Sequence, residues 1–237
     1  MRSAIRVIGE LCLTVGVIIA LFLAYLTWGS GQRAAQAQGQ FTAQLNREWR
    51  ASPVAVGIIR ARPDRLRLVT GEPFAFLRIP AFGARWRFTI IEGTQLAQLN
   101  LSPGHVPGTQ LPGELGNFAV AGHRVTAGNP FWGLPGLHMG DLVYVDTRYD
   151  TYAYQVAEEP AWVAPGDLAV LDPVPGHPGK RPGRRLITLI TCDPPWTGTH
   201  RVIVTGVLVL VTGRGASAPV PRLQVLSPGI GSGRPGF

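Results

Sequence analysis

The chain has 237 residues and a net charge of +8, with Lys180 as its only lysine. The basic residues are scattered and no aromatic–basic reading motif accompanies them, so the charge argues against a nucleic-acid partner and for an anionic membrane or wall surface. With only Cys12 and Cys192, the composition excludes a disulfide framework, and the lack of Cys-x-x-Cys or His-x-x-x-His spacing argues against a zinc site.

The first predicted element is a transmembrane helix. Residues 11–28 hold no charge, and at about 1.5 Å per residue they span roughly 27 Å, close to a hydrocarbon core. Tyr25 and Trp28 stand at one end, as interfacial aromatics do, and Arg2 and Arg6 flank the other. Two other readings compete, a buried helix and a cleaved signal peptide, the latter because Ala35-Gln-Ala37 resembles a cleavage site. The apolar stretch is longer than a typical signal core, so residues 1–30 are read as an uncleaved anchor with the N-terminus inside and the rest of the chain outside the cytoplasm. Residues 31–73 are rich in Gln, Ala and Arg and read as a stalk with some helix.

Residues 74–213 read as one all-β domain, large enough for a core of its own. Strands are predicted at 74–79, 86–91, 117–122, 141–147, 151–158, 185–192 and 201–211, with one helical turn at 94–99. The gaps are dense in Pro and Gly, as in Ser102-Pro-Gly-His-Val-Pro-Gly108 and Pro173-Val-Pro-Gly-His-Pro-Gly179. Short strands punctuated in this way point to a barrel or sandwich. Residues 214–237, rich in Gly, Pro, Ser and Arg, read as a disordered tail.

Cys192 ends the predicted strand Arg185-Leu-Ile-Thr-Leu-Ile-Thr-Cys192, and the Asp-Pro-Pro that follows cannot continue it. A lone cysteine is commonly a small buried hydrophobe. At a strand end facing a loop, outside the cytoplasm and with no cysteine partner in its domain, Cys192 is also well placed to be a nucleophile. Arg201 opens the next strand, nine positions on. His123 closes the apolar strand Asn117-Phe-Ala-Val-Ala-Gly122 and is either a catalytic base or a structural strand cap. His105, His138 and His177 lie in loops and read as surface residues, while His200 could face either way. The acidic residues Glu92, Glu114, Asp141 and Glu158 are too dispersed to argue for a calcium site.

Taken together, Leu77-Arg-Ile-Pro80, Glu92-Gly-Thr94, Pro103-Gly-His-Val-Pro-Gly108, Gly116-Asn-Phe-Ala-Val-Ala-Gly-His-Arg124, Thr188-Leu-Ile-Thr-Cys192 and Arg201 resemble the sortases. The nine-residue Cys-to-Arg spacing, Asp172-Pro-Val-Pro and the Gly-His-Arg run are most similar to class E sortases of high-GC Gram-positive bacteria. The resemblance covers about residues 74–212. It implies an eight-stranded β-barrel with short helices, behind a transmembrane helix. It implies a membrane-anchored cysteine transpeptidase that cleaves a C-terminal sorting signal, of Leu-Ala-x-Thr-Gly or Leu-Pro-x-Thr-Gly type, between Thr and Gly. The thioacyl enzyme then passes the protein to a peptidoglycan precursor amine. The implied partners are surface proteins or pilins that carry such a signal, and no cofactor or metal is implied.

Carried over by motif position, the resemblance implies that Cys192 is the nucleophile, His123 the general acid and base, and Arg201 the oxyanion and substrate-orienting group. It implies that Thr191 contacts the signal's backbone, and that the loop at 172–184 binds the signal. These roles fit the chemistry of amide cleavage, which needs a thiol that can give up its proton, a proton for the leaving amine and donors for the oxyanion. No Asp or Glu is evidently placed to hold His123. Two alternatives remain: an L,D-transpeptidase-like cysteine enzyme, whose His-Gly and Cys-x-Arg signatures are missing here, and a non-catalytic membrane-anchored β-domain with Cys192 merely buried.

Overall fold

The computed structural model describes residues 2–51 and 68–213. The segment at 52–67, within the predicted stalk, and the predicted tail at 214–237 lie outside the described residues.

One helix, α1 (Arg2–Ala51), comes first. The strands are β1 (Pro73–Arg78), β2 (Arg87–Glu92), β3 (Gly104–His105), β4 (Gly116–Ala121), β5 (Leu142–Asp146), β6 (Asp150–Val156), β7 (Ala161–Val163), β8 (Arg185–Asp193) and β9 (His200–Gly213). A short helix, α2 (Leu96–Leu99), fills the predicted turn, and single 3₁₀ turns lie at Pro80–Phe82, Leu134–Gly136 and Leu168–Leu171.

Eight strands close on themselves in the order β6-β5-β1-β2-β3-β4-β8-β9, with β9 pairing back to β6; β7 is added to β9 outside the ring. Closure removes free edges and gives one inward face. That face carries Ala75, Leu77, Ile90, Phe118, Val120, Val143, Val145, Tyr154, Ile187, Leu189, Val202 and Val204. Alternation along β8 is the simplest case: Ile187 and Leu189 point inward, so Ile190 and Cys192 point outward.

Two strands went unpredicted for a physical reason. β3 has two residues and β7 three, too short for a period-two pattern to register. β3 is nevertheless needed for closure, because it pairs parallel with β2 and antiparallel with β4.

The segment read as a stalk is in part a docked arm. Ala34, Ala37, Leu45 and Trp49 are buried, spaced as one helical stripe. Trp49 meets the outward-facing Phe76 of β1 edge-on at 5.2 Å, with Leu45 in the same cluster. Gln38 adds a polar lock. Its amide donates to Leu101 O (3.2 Å) and Ser102 Oγ (2.9 Å), while its oxygen accepts from Thr89 N (2.9 Å) and Thr89 Oγ1 (3.1 Å). β1 and β2 are therefore covered on both sides, which explains why β1 is buried almost throughout.

Candidate active site

Three neighbouring strands meet at one end of the barrel: β4, β8 and β9. Cys192 and Arg201 are direct partners across the antiparallel β8–β9 pair, both on the outward face. β4 runs parallel to β8, with Ala121 opposite Ile190. Two residues further on, the same register brings His123 level with Cys192. The cysteine thus lies on the middle strand, with the histidine on one side and the arginine on the other, at strand spacings of about 4.8 Å.

The ends of β4 and β8 are tied together. Gly122 N donates to Ile190 O at 3.0 Å, and the Thr191 hydroxyl donates to Gly122 O at 2.8 Å. Thr191 is only 2% exposed, as its inward position on β8 requires. Its side chain therefore braces the residue before His123, and direct contact of that hydroxyl with a peptide would require this bond to open. A Cβ on Gly122 would stand 2.8 Å from the Phe131 ring, so glycine is what lets the strand end pass there.

His123 is half-buried, and burial lowers its pKa from the ordinary histidine value. Its Nε2 lies 3.1 Å from Asn100 Oδ1. An amide oxygen accepts, so this contact places the ring proton on Nε2 and the lone pair on Nδ1. Asn100 follows α2 and bears no sequence signal of this role; only the fold brings it to residue 123.

Arg201 Nη1 donates to Gly198 O (2.8 Å) and His200 O (2.9 Å). These bonds fix one arm of the fork and leave the other donors for a ligand. Gly198 has φ +62°, and a Cβ there would lie 3.7 Å from both Cys192 Sγ and Arg201 Nη1. The glycine keeps the space between thiol and guanidinium open.

Asp193, next to Cys192, is not aimed at His123. Its carboxylate pairs with the Arg124 guanidinium and accepts from Trp162 Nε1 at 2.9 Å. The Arg124 guanidinium also stands 5.8 Å from the centre of the Trp132 ring. The ion pair joins the residue after His123 to the residue after Cys192. Opposite charges beside each of the two residues were the available signal for it.

The 172–184 segment is exposed over much of its length. It is held at its start, where Asn117 Nδ2 donates to Val170 O at 3.0 Å and Thr188 Oγ1 donates to Asn117 Oδ1 at 2.7 Å.

One histidine departs from expectation. His105, read as a surface loop residue, belongs to β3 and is 2% exposed. Its Nδ1 sits 2.6 Å from Glu92 Oε2, and its ring stacks on Phe118 at 5.3 Å. The Pro and Gly around it turn the chain into the barrel wall rather than away from it. His138 and His200 are exposed and hydrogen-bond to Glu159 and Thr199, and His177 is exposed. Among the described residues no group of three or more His, Cys, Asp or Glu side chains could hold a metal ion.

The sequence matches the family profile of the sortase domain over residues 77–209. It is 33% identical over 214 residues to Sortase SrtE1 of Streptomyces coelicolor, an alignment that covers 87% of this chain and 57% of that protein. It is 29% identical to Sortase SrtE2 of the same organism, covering 87% of this chain and 83% of the relative. Among solved structures, sortase E from Streptomyces avermitilis superposes with a TM-score of 0.58 at 38% identity, over 64% of this chain and 97% of that one. Sortase E1 from Streptomyces coelicolor, solved with a tripeptide in the active site, gives 0.58 at 36% identity, over 65% and 98%.

Proposed function

Because this chain belongs to the sortase family, we propose that it is a membrane-anchored cysteine transpeptidase in which Cys192, His123 and Arg201 carry the reaction. Cys192 Sγ gives its proton to His123 and attacks the carbonyl carbon of the Thr–Gly bond in a C-terminal sorting signal. The oxyanion that forms is met by the free donors of Arg201. His123 returns the proton to the leaving glycine amine, and the Thr carbonyl is left on sulfur as a thioester. A wall-precursor amine then attacks the thioester, with His123 taking the amine's proton and giving one back to the departing sulfur.

The observation that carries this reading is the alignment of three strand ends: Cys192 opposite Arg201 across β8–β9, with the β4 register bringing His123 to the other side. The tripeptide in the active site of a solved relative supports a peptide as the donor. Anchoring of the chain in a membrane is supported by the apolar Ile5–Phe22 run of α1, which none of the described residues covers. The anchor is retained in this reading, since cleavage after Ala37 would remove the buried Ala34 and Ala37 contacts and cut α1 just before the Gln38 lock.

The test is mass spectrometry of the full-length protein in detergent with a Leu-Ala-x-Thr-Gly peptide and a primary amine. A thioacyl adduct on Cys192 and an amine-linked Thr product are expected, and both should be absent in Cys192→Ala. Product formation by Cys192→Ala at the native rate would overturn the assignment.

A further inference from the structure

Helix α1 runs unbroken from Arg2 to Ala51, so the spacing of its residues along the axis is set by the 1.5 Å rise. No charged residue lies between Glu10 and Arg33. A hydrocarbon core of roughly 30 Å takes about 20 residues at that rise, and counted from Leu11 it ends near Ser30. The next residue, Gly31, lines a pocket together with residues 125–129, Trp132 and Trp196. One turn later Ala34 is buried, and its Cβ lies 4.0 Å from where a Cβ on Gly128 would stand. The barrel therefore meets the helix within a turn of the point where the span ends.

Two large aromatics stand exposed at this level. Trp132 is 55% and Trp196 76% exposed. Both belong to loops that frame the candidate active site: Trp132 lies beside the Arg124–Asp193 pair, and Trp196 sits two residues before Gly198, which faces Cys192 Sγ. An indole combines an apolar ring with one N–H donor and is favoured at the headgroup layer, where one side is apolar and the other wet. The net charge of +8 adds attraction to anionic headgroups.

We infer that the loops at 125–132 and 194–199 rest on the lipid interface of the bilayer that α1 crosses, with Trp132 and Trp196 seated among the headgroups, so that the Cys192 groove opens at the membrane surface. The inference rests on the anchored reading of α1. Continuity of the helix with the span selects lipid as the occupant, because the bilayer is beside these loops whenever the chain is in place. A protein chain tethered to the same bilayer can then reach the thiol without leaving the surface.

Full-length protein in nanodiscs that contain a headgroup-labelled quenching lipid tests this through tryptophan fluorescence. Trp28, near the end of the span, reports on the anchor, and Trp132 and Trp196 report on the loops. Trp49 lies about 27 Å further along the helix than Gly31 and is background. The W28F protein should keep a quenched component that W28F/W132F/W196F loses, while W132F/W196F with Trp28 in place stays quenched. If W28F is quenched no more than the triple variant while W132F/W196F is quenched, the loops stand clear of the bilayer and the inference is overturned with the anchor intact. If W132F/W196F is not quenched at all, the anchored reading fails and the inference falls with it. Protection of Trp132 and Trp196 from both the lipid quencher and aqueous acrylamide would mean that protein covers them, which also overturns it.

Discussion

In the proposed reaction Arg201 does two things at once: it holds the 198–200 backbone through Nη1 and presents its remaining donors to an oxyanion. An ammonium cannot do both, because it lacks the planar fork. Arg201→Lys is therefore expected to lower kcat by about 100-fold or more, the scale of losing an oxyanion donor; kcat within a factor of about two of native, measured with the signal peptide, would remove Arg201 from that role. His123 offers a second test. Burial disfavours its charged form, so its folded midpoint lies below the unfolded value of about 6.5. Between the two values the unfolded chain binds more protons, so this ring's stabilising contribution is present above about pH 6.5 and is lost as pH falls through the folded midpoint. An NMR titration of the His123 ring should give that low midpoint, and a midpoint above 6.5 would contradict the burial argument. Asn100→Ala should lower kcat roughly five- to tenfold, the scale of one hydrogen bond, with KM little changed, because the Asn100 side-chain oxygen bonds the His123 ring.

At the scale of elements, β9 does most to place the candidate site. β9 spans 14 residues and serves β8 along one edge and β7 and then β6 along the other, so the strand that carries Arg201 also closes the barrel. Helix α1 is locked to the barrel by Gln38, whose amide meets four partners on β2 and the 101–102 segment. Gln38→Ala takes the partner from Thr89 N and Leu101 O under the helix, while Thr89 Oγ1 and Ser102 Oγ keep each other, at a cost of about 1–3 kcal/mol. For a domain of this size that corresponds to a fall in Tm of about 2–4 °C per kcal/mol. Thermal unfolding in detergent reads this directly, and an unchanged Tm would mean that the arm is not docked in solution.

For the whole molecule the question is which peptide the groove admits. Class E resemblance implies alanine over proline at the second signal position. Proline lacks the N–H and holds φ near −65°. A site with an acceptor at that point gains a bond from alanine that proline cannot make. An acceptor left unpaired costs about 1–3 kcal/mol, so kcat/KM for Leu-Ala-x-Thr-Gly is expected to exceed that for Leu-Pro-x-Thr-Gly by roughly 10- to 100-fold. Equal values in a peptide competition assay would discard this specificity and leave the thiol chemistry standing.

The sequence by itself determined the long strands, the apolar helix and the prominence of Cys192, His123 and Arg201. Each of these is a local signal: alternation of period two, an uncharged run, or a reactive residue where an apolar strand meets a loop. Only the tertiary structure decided what lies between distant segments. The parallel pairing of β4 with β8 joins residues about 70 apart in the chain, and no local pattern encodes which strands become neighbours. His105 sits among Pro and Gly, yet barrel closure buries it against Glu92 and Phe118. Asn100 gains its partner, and Ala34 to Trp49 their burial, from surfaces that form only once the strands have closed. Periodicity reports which face of an element is apolar; what that face meets depends on the packing of the whole chain.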